Sequence, residues 1–88
     1  MEPIYISIQP QETGYRIHEL MKENGLNVRD IQEAMGFANP QAVYKWISGK
    51  SMPSLDNLVI LSTVLHKRMD EILVIDGDFS CSFFQLFL

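Results

Sequence analysis

From residue 13 onward, apolar residues recur three and four positions apart, which is the spacing of amphipathic α-helices. Thr, Asn or Ser at helix starts and Gly at helix stops mark where the segments begin and end. These signals predict a compact all-α domain of five short helices. The predicted helices are 13–24, 28–35, 40–48, a fourth opened by Pro53 and Ser54, and 69–73. The residues predicted to face inward on the first four helices are, in order, Ile17, Leu20 and Met21; Val28, Ile31 and Met35; Ala42, Val43, Trp46 and Ile47; and Leu55, Leu58, Val59, Leu61, Ser62 and Leu65.

The third predicted helix, from Pro40 to Ser48, has the most clearly divided surface. At about 100° per residue, its apolar residues share one side and its polar residues share the other, namely Gln41, Tyr44, Lys45 and Ser48. Trp46 falls on the apolar side, so we expect it in the core. Two consecutive short helices joined by a link that contains Gly36 are typical of a helix-turn-helix.

The two ends of the chain depart from the helical pattern. Ile4, Ile6 and Ile8 alternate with polar or aromatic residues, which predicts a short strand or extended arm within residues 1–12. Residues 76–78 predict a turn, and the mostly apolar residues 79–88 are β-prone. The two ends could pair with each other, pair across a dimer, or remain in solvent. We therefore expect an N-terminal arm (1–12), a helix-turn-helix domain (13–75) and a C-terminal tail (76–88) as a candidate dimerisation element.

Composition narrows the classes of protein. The 88 residues are 47% hydrophobic and 20% charged, as expected for a folded domain. A single cysteine, Cys81, excludes an internal disulfide. No signal peptide or membrane span is evident in the sequence, so we expect a cytoplasmic protein with no membrane partner.

The net charge of −4 argues against nucleic-acid binding, because such proteins usually carry a basic excess. The distribution of charge weakens that objection. Residues 34–55 contain Lys45 and Lys50 and no carboxylate, whereas residues 70–78 contain four acids and no base. The third helix and the loop after it are therefore locally basic. An excess of only two charges predicts modest non-specific affinity, so tight binding would need two subunits.

Residues 13–74 resemble the lambda-repressor-like (Cro/repressor type) helix-turn-helix family. The motifs that carry the resemblance are Gly14, Arg16, Ile17 and Leu20 in G-x-R-I-x-x-L; the Gly25–Leu26 junction; Ile31 and Gly36; Y-K-W-I-S-G-K at 44–50; P-S-L-D-N-L at 53–58; and M-D-E-I-L at 69–73. One departure is Val28, where relatives often carry a glutamine that binds phosphate. Another is the apolar pair Met21 and Ile47, where relatives often have an arginine and a glutamate.

The resemblance implies that helix 40–48 enters the major groove of double-stranded DNA. On that basis Gln41, Tyr44 and Lys45 are candidate base-contacting residues, because Gln can bond adenine and Lys can donate to guanine. The candidate phosphate-contacting residues are Arg29, Asn39, Lys50 and Ser51. The ordinary alternatives are a solvated helix face for the first group and a plain helix cap for Asn39.

The function predicted from these residues is a sequence-specific DNA-binding transcriptional regulator, expected to be a repressor and a homodimer. The alternative is a protein-interaction module with the same fold, such as an antitoxin or a scaffold that binds a protein partner. Catalysis, metals and cofactors are not expected. His18 and His66 are far apart in sequence without neighbouring ligands at metal spacing, and no nucleophile or phosphate-loop motif is present.

Overall fold

A computed structural model describes residues 2–77 of the chain. Within that range, five helices and two short strands follow one another. They are β1 (Ile6–Ile8), α1 (Pro10–Glu23), α2 (Val28–Met35), α3 (Gln41–Ser48), α4 (Leu55–Leu65), α5 (Met69–Ile72) and β2 (Ile75–Gly77). The prediction for the tail from Phe79 to Leu88, with Cys81, lies outside the described residues. None of the described helices is long and apolar enough to cross a membrane.

One hydrophobic core joins all five helices, as the compact five-helix fold predicted. The inward residues predicted for α1 are all buried, and so are Val43 and Trp46 of α3. The complete set of buried apolar residues is Ile17, Leu20, Met21, Ile31, Val43, Trp46, Leu58, Leu61, Leu65 and Ile72. In α1 and α3 the buried residues lie on the face that the spacing of apolar residues defines.

The ends of α2 and α3 follow local sequence signals. At the start of α2, the Asn27 side chain accepts from the Asp30 amide while Asp30 accepts from the Asn27 amide, both at 2.9 Å. This reciprocal capping box is the one the sequence predicted. At the far ends, Gly36 and Gly49 adopt φ of 74° and 79°, a left-handed conformation that glycine adopts without strain.

The first helix begins four residues earlier than predicted, with Gln9 rather than Thr13 at the N-cap position. The sequence placed Thr13 as its cap, but Pro10 occupies the first turn, where its fixed φ suits a helix start. Thr13 is instead fully buried within α1. Its hydroxyl accepts from the Val74 amide at 3.0 Å, and this tertiary partner 61 residues away is invisible to local reasoning.

The inward face predicted for α4 is partly wrong. Leu58, Leu61 and Leu65 are buried, but Leu55 and Val59 are 69% and 51% exposed. Apolar residues surround nearly the whole of this helix, so their spacing does not define a single face.

A two-stranded antiparallel sheet joins the two ends of the described chain. Ile6 lies opposite Gly77, Ser7 opposite Asp76, and Ile8 opposite Ile75. The predicted turn at residues 76–78 is therefore wrong at Asp76 and Gly77, which belong to β2. The N-terminal strand does form, and its partner is the segment just before the tail. β1 leads into α1 and β2 follows α5, and contact between these two helices brings the two strands together.

Candidate nucleic-acid interface

The link between α2 and α3 is held by hydrogen bonds in both directions. The Phe37 amide donates to the Gln32 carbonyl at 3.1 Å, and the Gln32 side chain donates back to the Phe37 carbonyl at 3.2 Å. The Phe37 ring also meets the Trp46 ring edge-on, with centroids 5.8 Å apart. These contacts fix the angle between the two helices. Sequence reasoning missed the role of Gln32, for which no local motif gives a signal.

The end of α3 is seated closely against α1. A methyl group added at Gly14 would overlap the Trp46 carbonyl oxygen and lie 2.5 Å from that of Ile47. The same approach continues at Gly49, where an added methyl group would lie 2.7 Å from the Gln11 backbone. Glycine at these two positions therefore lets the two backbones touch, and α1 sets the position of α3.

The two sides of α3 have opposite environments. Val43 is fully buried and Trp46 is 4% exposed, which confirms Trp46 as a core residue. On the other side Gln41, Tyr44 and Lys45 are all exposed, with Tyr44 at 57%. The structure therefore brings these three candidate base-contacting residues together on one free helix face, because they are three and four positions apart.

The start of α3 lies one residue later than predicted, because Pro40 holds the N-cap position and Asn39 precedes it. The Asn39 side-chain oxygen accepts from the Gln41 amide at 3.1 Å, which satisfies one of the amides that a helix start leaves unpaired. The side-chain amide nitrogen of Asn39 is the group that is left for a phosphate. This hydrogen bond also orders the residues that precede the exposed Gln41 side chain.

The loop after α3 turns its backbone amides inward. The amides of Lys50 and Ser51 both donate to the Lys45 carbonyl, at 2.9 and 3.3 Å. These amides are therefore occupied, and the exposed side chains are the groups that can reach a ligand. The bonds place Lys50 and Ser51 at the end of the same helix that carries Lys45.

Arg29 is exposed in the first turn of α2, next to the capping carboxylate of Asp30. Among residues 2–77, no hydrogen bond or ion pair joins it to the α3 residues. Val28 stands where relatives often carry a phosphate-binding glutamine. Its side chain is partly buried against the core, so it does not take over that contact.

Within residues 2–77, Lys45 and Lys50 are not paired with carboxylates. In the described part of the chain, the ion pairs are Lys22 with Glu19 on α1, and Arg68 with Asp70 and Glu71 on α5. Lys45 and Lys50 therefore keep their charge available to an anion. No group of three His, Cys, Asp or Glu side chains within residues 2–77 could hold a metal ion.

Comparisons with known proteins give the same architecture. A family model described as helix-turn-helix matches residues 17–72, nearly two thirds of the chain. The restriction-modification controller protein C.AhdI from Aeromonas hydrophila is 26% identical, with a TM-score of 0.63 over 70% of this chain and 92% of that protein. A transcriptional regulator from Listeria innocua is also 26% identical, with a TM-score of 0.64 over 85% of this chain and 71% of that one.

A third structure, the clp gene regulator ClgR from C. glutamicum, is 15% identical with a TM-score of 0.64, over 75% of this chain and 84% of that one. At that identity it supports the fold alone. A comparison with curated protein sequences gave no match.

Proposed function

Because the chain belongs to the lambda-repressor-like helix-turn-helix family of DNA-binding, non-enzymatic transcriptional regulators, we propose that it is a sequence-specific repressor that binds double-stranded DNA as a homodimer. Two similar structures, each 26% identical, are named as a controller protein and a transcriptional regulator, which supports a regulatory role. Repression requires only that the bound protein occupies a site that transcription needs.

The observation that carries the proposal is the divided surface of α3. Its apolar side is buried against α1 and the α2–α3 link, so the helix is rigidly held, and its polar side is free. Gln41, Tyr44 and Lys45 on that side are of the types that read base edges in the major groove. Gln41 suits an adenine, Lys45 suits a guanine, and Tyr44 can contact a thymine methyl group or a phosphate.

Phosphate contacts would come from the groups at both ends of α3. The side chains of Lys50 and Ser51 follow its last turn, and the Asn39 amide nitrogen lies at its first turn. Arg29 on α2 is a further candidate because it is exposed and unpaired among the described residues. Such contacts set the register of a protein on DNA without reading its sequence.

The test begins by selecting bound duplexes from a random DNA pool with the full chain, followed by titration at several salt concentrations. We expect Gln41→Ala to lose discrimination at one base pair, by about 1–3 kcal/mol, with an unchanged salt slope. Lys50→Ala should weaken all sequences equally and reduce the salt slope by about one. Lys22→Ala is the matched control, because it removes an exposed lysine from α1 and should change neither.

Two results would count against the proposal. One is the absence of binding to any duplex at low salt. The other is equal loss for Lys22→Ala and Lys50→Ala, which would mean that only net charge matters. A reporter gene carrying the selected site then separates repression from activation, since deletion of the regulator raises expression only in the first case.

A protein-interaction module such as an antitoxin or scaffold is the second candidate. Two observations favour it. The exposed isoleucines of β1 offer an apolar surface to a protein partner. The core-facing Val28 side chain cannot donate a hydrogen bond to a DNA phosphate. This candidate predicts that substitutions at Gln41 and Lys45 leave binding to the protein partner intact. It also predicts no selectable DNA sequence.

A further inference from the structure

The first strand exposes an apolar stripe on the surface of the protein. Ile6 and Ile8 are 46% and 45% exposed on one face of β1, and Ile4, which precedes the strand, is 66% exposed. Tyr5, which also precedes the strand, is 66% exposed. A two-stranded sheet with both faces in water is at best marginally stable alone, so pairing with a partner would stabilise this element.

The helical body holds this sheet in place. The Gln9 amide donates to the Val74 carbonyl at 2.8 Å, which continues the ladder beyond Ile8 toward α1. The buried Thr13 hydroxyl accepts from the Val74 amide. The apolar stripe is thus presented from a fixed position rather than from a loose arm.

The ladder determines which backbone groups remain free. In an antiparallel pair, alternate residues direct their N–H and C=O groups toward the partner strand. Since Gln9 bonds Val74 and the register pairs Ser7 with Asp76, the odd-numbered residues face β2. Ile6 and Ile8 therefore direct their backbone groups to the outer edge of β1.

Within residues 2–77, no charged side chain and no covering element protects this edge, although β1 is short and Pro3 and Pro10 flank it. Exposed edges are commonly protected by charged side chains, bulges or a covering element. Residues 3–11 contain no charged residue, and residues 2–8 are all exposed. An unprotected apolar edge is a liability for a soluble protein unless something pairs with it.

We propose that β1 pairs antiparallel with β1 of a second copy of the chain, forming a four-stranded sheet across the dimer. Only one register joins all three free isoleucines: Ile6 lies opposite the partner subunit's Ile6, and Ile4 opposite the partner subunit's Ile8. Shifting the pairing by two residues would oppose Ile4 to the partner subunit's Pro10, which has no N–H. The strand is self-complementary, as a two-fold interface requires, and the six isoleucines share one face.

This inference deepens the proposed function, which needs two subunits because each carries only two positive charges in residues 34–55. It names the surface that joins them. Oligomeric state is measured without DNA, so failure of the dimer surface and failure of DNA binding are distinguishable.

The experiment measures the molar mass of the full chain by sedimentation equilibrium. The unchanged protein is expected to be a dimer, and Ile6→Lys a monomer, because two lysines would meet at the symmetry axis and weaken association by at least about 100-fold. Val59→Lys is the matched control, since Val59 is equally exposed on α4 and should leave the dimer intact. Circular dichroism verifies that each variant keeps its helices.

Charge exchange then tests the register. A mixture of Ile6→Lys and Ile6→Glu chains should form a mixed dimer, although each is monomeric alone. Ile4→Lys combined with Ile8→Glu in one chain should dimerise better than either substitution alone. The proposal is overturned if the unchanged chain is a monomer, as when residues 78–88 cover the stripe within the same chain. It is also overturned if Ile6→Lys remains a dimer or if the mixture does not associate.

Discussion

Helix α3 and strand β1 both carry an apolar stripe, but they use it in opposite ways. In α3 the stripe is inside the chain, where Val43 is fully buried and Trp46 nearly so. In β1 the stripe faces water, with Ile6 and Ile8 nearly half exposed. The helix therefore has its polar side left for a ligand, whereas the strand has its apolar side left for a partner.

The difference shows that amphipathicity alone does not tell which side of an element carries function. What decides is whether the same chain supplies a neighbour for the apolar side. Helix α3 meets α1, α2 and Phe37, while β1 has β2 along one edge and residues 2–77 leave Ile6 and Ile8 nearly half exposed.

The strongest test of the buried side is Trp46→Ala. It removes a large side chain that packs against Phe37 in the core, so we expect a loss of about 3–5 kcal/mol in the free energy of unfolding. Tyr44→Ala on the same helix should cost less than about 0.5 kcal/mol, because Tyr44 is exposed. Urea denaturation measures both. Similar losses for the two variants would remove the distinction between the sides of α3.

Gly14→Ala tests the contact of α1 with α3. Alanine is intrinsically the better helix former, yet its methyl group would overlap backbone oxygens of α3, so we expect a loss of about 3 kcal/mol. Gly25→Ala is the control, because its φ of 68° is strained for alanine but its surroundings are open, at a cost of about 1 kcal/mol. A Gly14→Ala protein as stable as the original would contradict the close approach.

Thr13→Val tests how the sheet is attached. The substitution keeps the shape of the side chain but leaves the Val74 amide without its acceptor, so we expect a loss of about 1–2 kcal/mol. Amide exchange in β1 and β2 should accelerate, while exchange in α3 should change less. Thr63→Val removes a hydroxyl whose bond to Val59 is exposed on α4, and it should have little effect. Uniform acceleration across all elements would indicate that the sheet is not a separate unit.

The smallest effect is expected from Glu71→Gln at the start of α5. The Arg68 amide donates to the Glu71 carboxylate at 2.9 Å and lowers the pKa of Glu71, and the positive charges of Arg68, Lys67 and Arg16 act in the same direction. Because the folded pKa is lowered, the stabilisation is present above the ordinary value of 4.5 and is lost as pH falls through the folded pKa.

Unfolding curves at a series of pH values check this expectation. The difference in the free energy of unfolding between the original protein and Glu71→Gln should be present at neutral pH. It should shrink once the pH falls below 4.5, the ordinary pKa of the carboxyl group. A difference that stays constant down to the acid transition would contradict the role of the carboxylate.

Several features could be predicted because their causes are local. The Asn27–Asp30 capping box and the glycine stops at Gly36 and Gly49 need only neighbouring residues, and all three occur as expected. The two faces of α3 followed from the spacing of Val43 and Trp46, and this spacing also gathered the candidate base-contacting residues. Their roles in DNA binding remain predictions.

Other features could not be predicted because their causes are distant in sequence. Thr13 looks like a helix cap until Val74 is brought beside it, and Asp76 with Gly77 looks like a turn until β1 lies alongside. On α4, Leu55 and Val59 look like core residues because nothing in the helix distinguishes its sides. Each error arose where two or more environments suit the same local pattern.

The sequence by itself determined the five helices, the order that makes a helix-turn-helix, and the polar side of its third helix. It could do so because helix caps, glycine stops and apolar spacing act within a few residues. Only the tertiary structure decided that α1 contacts α3 backbone to backbone at Gly14, that Val74 anchors the sheet, and that the isoleucines of β1 stay exposed. These depend on which surfaces meet, and that is fixed by packing of the whole chain rather than by any one segment.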